Sequence, residues 1–112
     1  MQEITIIKTK LTYLQENILI ELNKTVNALF ICKKYGIKQI TLSKTIQALT
    51  EKNLLIDGIL TEKGKKMVHY LEFRNETISL FLKKHKILIT EEINKQLCAL
   101  DYKVIIALRN LL

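Results

Sequence analysis

Apolar residues recur along this chain at helical spacing almost throughout. Leu11, Leu14, Ile18, Leu19 and Leu22 form a first stripe with intervals of three and four, the spacing of one helix face. Asn23-Lys24-Thr25 interrupts it, and Thr25 is placed to cap the next helix. Leu29, Cys32 and Tyr35 follow at intervals of three, and Gly36 supplies the left-handed residue that closes this short helix. A third helix is predicted from about Thr41, with Leu42, Ile46 and Leu49 inward and Lys44, Gln47 and Glu51 on the opposite face.

The period then changes. Leu54-Leu55-Ile56 and Ile59-Leu60 are β-prone runs separated only by Asp57-Gly58. Asp-Gly suits a type I′ turn, in which both central residues need positive φ, so a very short hairpin is predicted here. Thr61 caps a long helix with Met67, Val68, Leu71, Ile78, Phe81 and Leu82 on its apolar side. Gly64 is a weak helix former but tolerable in a first turn. Lys83-Lys84-His85-Lys86 suits the negative end of that helix. Thr90-Glu91-Glu92 starts another segment, and a stripe of Leu97, Leu100, Val104, Leu108 and Leu111 runs towards the end of the chain.

This order predicts a mainly α protein with a short β-hairpin wing, a winged helix-turn-helix over about 11–60 followed by long dimerisation helices over about 61–112. In that arrangement the second and third helices cross steeply. The polar face of the third is then free to enter a major groove about 12 Å wide. Lys38, Gln39, Thr41, Ser43, Lys44 and Gln47 are the expected DNA-facing residues. Gln pairs bidentately with adenine, and Ser or Thr meets a base edge or a phosphate. Lys63 and Lys65, with Lys66, are candidates for phosphate contact. The plainer alternative is an ordinary solvated helix face with solvated lysines.

Length and charge narrow the picture. The 112 residues suit a single domain. Apolar residues at 48% exclude a disordered tail. Three glycines and no proline argue against a strand-rich sandwich or barrel. The formal charge is +7, from 18 Lys and Arg against 11 Asp and Glu, which favours polyanionic partners. All but Arg74 and Arg109 of these cations are lysine, and isoleucine is abundant. That pattern fits AT-rich codon usage, so the charge weighs less than its size suggests. Met1 to Lys10 has no long apolar run, and nothing approaches 18 apolar residues, so a cytoplasmic protein without a membrane partner is expected. Cys32 and Cys98 form no disulfide framework or CxxC pair.

Several stretches resemble one known family. Ile37 to Leu49 is similar to the recognition-helix region of the diphtheria-toxin-repressor and manganese-transport-regulator family, and Asn53-Leu54-Leu55-Ile56 to its strand entering the wing. Leu60-Thr61-Glu62-Lys63-Gly64-Lys65-Lys66 resembles the family's helix start after the wing, and Arg74-Asn75-Glu76 through Phe81-Leu82 resembles a stretch of its long helix. The likeness covers roughly residues 26–82 and implies a dimeric, metal-activated repressor. Its metal ligands do not carry over. The ligand His falls on Asn75, the ligand Glu on Ser79, and the acidic ligands of the first helix near Thr12 and Gln15. The later cluster falls in 91–98, where Glu91, Glu92 and Cys98 stand without a His. The chain thus resembles a divergent member without a metal site.

Other chemistry is sparse. His69 and Glu72 share a helix face but lack a third ligand, and His85 lies among lysines. Asn75 interrupts the apolar side of the long helix, and partial exposure is its simplest placement. Cys32 is expected in the core. There is no nucleophile elbow, phosphate-binding glycine loop or HExxH motif, so no enzyme, catalytic residue or cofactor is expected. Leu97, Leu100, Val104, Leu108 and Leu111 offer more apolar surface than a small winged domain covers, which predicts a homodimer seam. The function expected is a dimeric, sequence-specific DNA-binding transcriptional regulator, a repressor that works without a metal. The alternative is a winged-helix interaction and dimerisation module that binds no operator.

Overall fold

The computed structural model describes residues 10–25, 27–88 and 90–112. All of the N-terminal stretch Met1 to Lys10 except Lys10 lies outside the described residues. The chain is mainly helical, with one small antiparallel hairpin. Its elements are α1 (Tyr13–Leu22), α2 (Ala28–Tyr35), α3 (Gln39–Glu51), β1 (Leu55–Ile56), β2 (Ile59–Leu60), α4 (Glu62–Lys84), α5 (Glu91–Cys98) and α6 (Tyr102–Leu111). They group into two compact units, one ending at His69 and the other Tyr70–Leu112. The unbroken helix α4 contributes to both.

In the first unit α1 and α2 pack on α3, and the hairpin closes against α1 and α3. Buried apolar residues there include Ile18, Leu19, Ile31, Leu42, Leu49, Leu54, Leu55, Met67 and Val68. Each such side chain contributes roughly 1.5–3 kcal/mol by leaving water. α1 starts with a reciprocal capping box. The Thr12 hydroxyl accepts from the Gln15 amide at 3.1 Å, and the Gln15 side chain accepts from the Thr12 amide at 3.1 Å. Thr12 and Gln15, near the family's acidic ligands by resemblance, therefore serve a helix end.

Three local expectations need correction. α2 is capped by Asn27, whose side-chain oxygen accepts from the Phe30 amide at 3.1 Å, whereas the Thr25 hydroxyl accepts from the Asn27 amide. The inward residue of α2 is Ile31, not Leu29, which is exposed, while Cys32 is half-buried. Helix α3 begins at Gln39, two residues before Thr41, and buries Leu42, Thr45 and Leu49. Thr45 is tolerated inside because its hydroxyl donates to the Thr41 carbonyl at 2.8 Å.

The hairpin is as short as its sequence requires. Leu55 pairs with Leu60 and Ile56 with Ile59. Asp57 and Gly58 both have positive φ, 52° and 77°, as the two-residue turn demands. Thr61 joins it to α4 through one hydroxyl used twice. That hydroxyl donates to the Asn53 carbonyl at 2.7 Å and accepts from the Gly64 amide at 3.0 Å. Thr61→Val removes both bonds at constant shape. A loss of about 1 kcal/mol is expected in urea denaturation.

In the second unit Ile78, Leu82 and Ile105 form a buried cluster. Phe73, Phe81, Ile93, Leu97, Cys98, Leu100 and Leu108 pack around it. The apolar stripe expected to run through to the end is broken into α5 and α6. Thr90 caps α5 as predicted, accepting from the Ile93 amide at 3.1 Å. Asp101 then takes an extended N-cap conformation and restarts the helix. The Lys84 ammonium donates to the Leu111 carbonyl at 2.9 Å, tying the end of α4 to the end of α6. Among the described residues no helix is long and apolar enough to cross a membrane.

Candidate nucleic-acid interface

The feature best placed for recognition is the outer face of α3. Gly36, in left-handed conformation with φ 62°, stops α2 and turns the chain, and the Ile37 amide donates to the Cys32 carbonyl at 3.0 Å across the stop. Lys38 then caps α3 with its backbone and makes no side-chain cap bond. Because the buried positions of α3 recur at 42, 45 and 49, its opposite face runs through Ile40, Ser43, Lys44, Gln47 and Glu51, all exposed. Lys38 and Gln39 are exposed at its start. Thr41 stands apart from this ridge, since it is half-buried and its carbonyl holds Thr45.

An ion pair between buried Glu21 and partly exposed Lys34 links α1 to α2. Glu21 is 3% exposed. Its carboxylate accepts from the Lys34 ammonium at 2.5 Å and from the Tyr35 hydroxyl at 3.0 Å. The Lys34 ammonium holds the Glu21 carboxyl below the usual glutamate range, outweighing the opposing effect of burial. Burial, together with the bond to Glu21, pushes the Tyr35 phenol up to about 12. Sequence reading passed over this group. The available signal was an acid three residues after Ile18, on the inward stripe of α1.

The hairpin is poorly equipped to grip phosphate. Residues 53–60 contain Asp57 and no cation. At the tip the cross-strand pair Ile56 and Ile59 stands 63% and 66% exposed. The lysines after it divide. Lys63 is half-buried, with its ammonium donating to the Lys52 carbonyl at 3.2 Å, which closes the C-terminal end of α3. Lys65 is exposed and 3.8 Å from Glu62, a surface pair of small energetic weight. Lys63 thus fits a bracing role better than the phosphate contact expected of it, whereas Lys65 stays open to solvent.

Asn75 and Ser79, two of the positions matched to metal ligands by the resemblance, lie in the second unit. Asn75 is half-buried, and its side-chain oxygen accepts from Arg74 Nε at 3.2 Å and Nη2 at 2.9 Å, with Cys98 Sγ at 3.6 Å. Arg74, only 3% exposed, is the deeply buried polar group of the adjacent pair. A guanidinium at that distance opposes a metal cation at Asn75. Ser79, His69, Glu72 and His85 are exposed. Among the described residues no three His, Cys, Asp or Glu side chains converge on a point. Of the residues expected at a dimer seam, Leu97, Leu100 and Leu108 are half-buried against their own unit's core, while Val104 and Leu111 are exposed.

Compared with family models, with curated proteins and with solved structures, the chain finds no match.

Proposed function

We propose that this chain is a dimeric, sequence-specific regulator that binds double-stranded DNA through α3 and acts as a repressor in the cytoplasm without a metal cofactor. The observation that carries the reading is the exposed ridge of α3, polar at Ser43, Lys44 and Gln47 and followed directly by a tight hairpin. That element order and exposure suit a winged helix-turn-helix. Gln39 and Gln47 would pair with adenine edges, and Ser43 would meet a base edge or phosphate. Lys38, Lys44 and Lys65 would contact the backbone, where each contact releases counterions. Val104 and Leu111, left outside the core of their unit, are the residues of the terminal helix available to a second copy. A dimer would present two ridges to a palindromic site. The proposed activity is binding, with no catalytic step.

The test is a shift assay on the DNA upstream of the protein's own gene across a salt series, with light scattering on the same sample. Preference for one palindrome by a dimeric species is expected. Lys44→Ala combined with Gln47→Ala should weaken specific binding by about tenfold or more, one good base contact being worth about 1–3 kcal/mol. Equal binding to all sequences would refute the reading, since any basic protein binds DNA in that way.

One observation favours a second reading, a protein-interaction module. The hairpin tip pairs two exposed isoleucines with an acidic Asp57, a surface better suited to an apolar protein partner than to phosphate. A dimer with no preferred duplex would support it.

A further inference from the structure

Ile40 is the misfit of the α3 ridge. It is 62% exposed, yet it is a large aliphatic residue on a face whose other members are Ser43, Lys44, Gln47 and Glu51. Those residues stand three, four, seven and eleven positions after it, so all five share one side of the helix. The core does not claim Ile40, because Leu42, Thr45 and Leu49 fill the inward positions. Ile40 also lies in the first turn, and the N-terminal residues of a recognition helix are those that reach base edges.

We propose that Ile40 packs on the C5 methyl group of a thymine, which makes a T·A pair a fixed feature of each operator half-site under the first turn of α3. This inference rests on the reading of α3 as the base-contacting helix and names what one position of that helix selects. In the major groove the donor and acceptor edges of all four base pairs are polar. The thymine methyl is the one apolar group displayed there. An exposed isoleucine gains nothing from the polar edges and desolvates them at a cost. Against the methyl group both partners leave water together. Ser43 and Lys44, one turn further along, can reach neighbouring edges or the phosphates beside them.

The experiment isolates that methyl group. A preferred duplex is selected from a random library. Each thymine of one half-site is then replaced singly by deoxyuridine, which keeps every hydrogen-bonding group and removes only the methyl. One position should weaken binding about fourfold, the worth of one methyl group transferred from water. Ile40→Ser should abolish that penalty, and Ile40→Val should retain most of it. Both variants change an exposed side chain, and unchanged circular dichroism confirms their folding. A preferred duplex with every deoxyuridine replacement neutral would overturn the assignment while leaving α3 as the reading helix. So would an Ile40→Ser protein that keeps the full penalty. A selection that returns no preferred sequence would remove the DNA reading and this inference with it.

Discussion

Gly64→Ala is expected to destabilise the first unit by about 3 kcal/mol, at the upper end of what overpacking costs. A Cβ placed at Gly64 would lie 2.2 Å from the Leu54 carbonyl oxygen and 3.2 Å from its carbon. Both are backbone atoms, which cannot swing aside as the end of a flexible side chain can. The same carbonyl accepts from the Thr61 amide at 3.1 Å, and Leu54 itself is fully buried. Relief of the clash therefore requires either lifting the first turn of α4 or breaking the attachment of the hairpin. Gly58→Ala is the internal comparison. Nothing lies within 4 Å of its Cβ position, and only its φ of 77° opposes a side chain, at a cost of about 1–2 kcal/mol. Urea denaturation of the two variants separates steric collision from backbone strain. Equal, small losses would show that Gly64 is there for another reason.

The second large effect is expected at Glu21. Replacement by alanine leaves the Tyr35 hydroxyl without its acceptor and opens a space between α1 and α2. Loss of hydrogen bonds to a buried charge costs about 2–3 kcal/mol. Lys34 is partly exposed and can return to water, which keeps the loss below that of stranding a fully buried cation. The pH profile follows from the two titrations. The folded carboxyl of Glu21 titrates below its unfolded value. Its stabilisation is complete above the usual glutamate range and disappears as pH falls through the folded value. The folded phenol of Tyr35 titrates above its unfolded value of 10, at about 12. Its contribution is complete below pH 10 and disappears as pH rises towards 12. Melting temperature should therefore be flat between these limits and fall at both ends. Glu21→Gln should flatten the acid shoulder, and Tyr35→Phe the alkaline one.

Much of the fold was legible because its signals are local. Asp57-Gly58 between two β-prone runs located the hairpin, Gly36 the end of α2, and Thr90 the start of α5. Each of these residues acts within three or four positions of itself. What the sequence left unread depends on distant partners. Gly64 is merely a poor helix former until the Leu54 backbone, just before β1, is laid against it, when it becomes a contact point between backbones. Lys63 passes for a solvated lysine until the end of α3 is brought beside it. Leu97, Leu100 and Leu108 look like spare apolar surface until Ile78, Leu82 and Ile105 are packed beneath them. At the candidate interface the sequence placed Lys44 and Gln47 outward, because Leu42 and Leu49 fix the opposite face. Polar Thr41 suits a ridge by residue type and aliphatic Ile40 does not, but helical phase relative to Leu42, Thr45 and Leu49 turns Ile40 outward and leaves Thr41 half-buried.

The brevity of the hairpin has one more effect. An apolar strand edge open to solvent invites other chains to add to it and seeds fibrous aggregates. Ile56 and Ile59 are apolar and exposed, but their ladder has two rungs. An incoming segment would find too few free amides and carbonyls to extend, so the protein can display this sticky tip without templating amyloid.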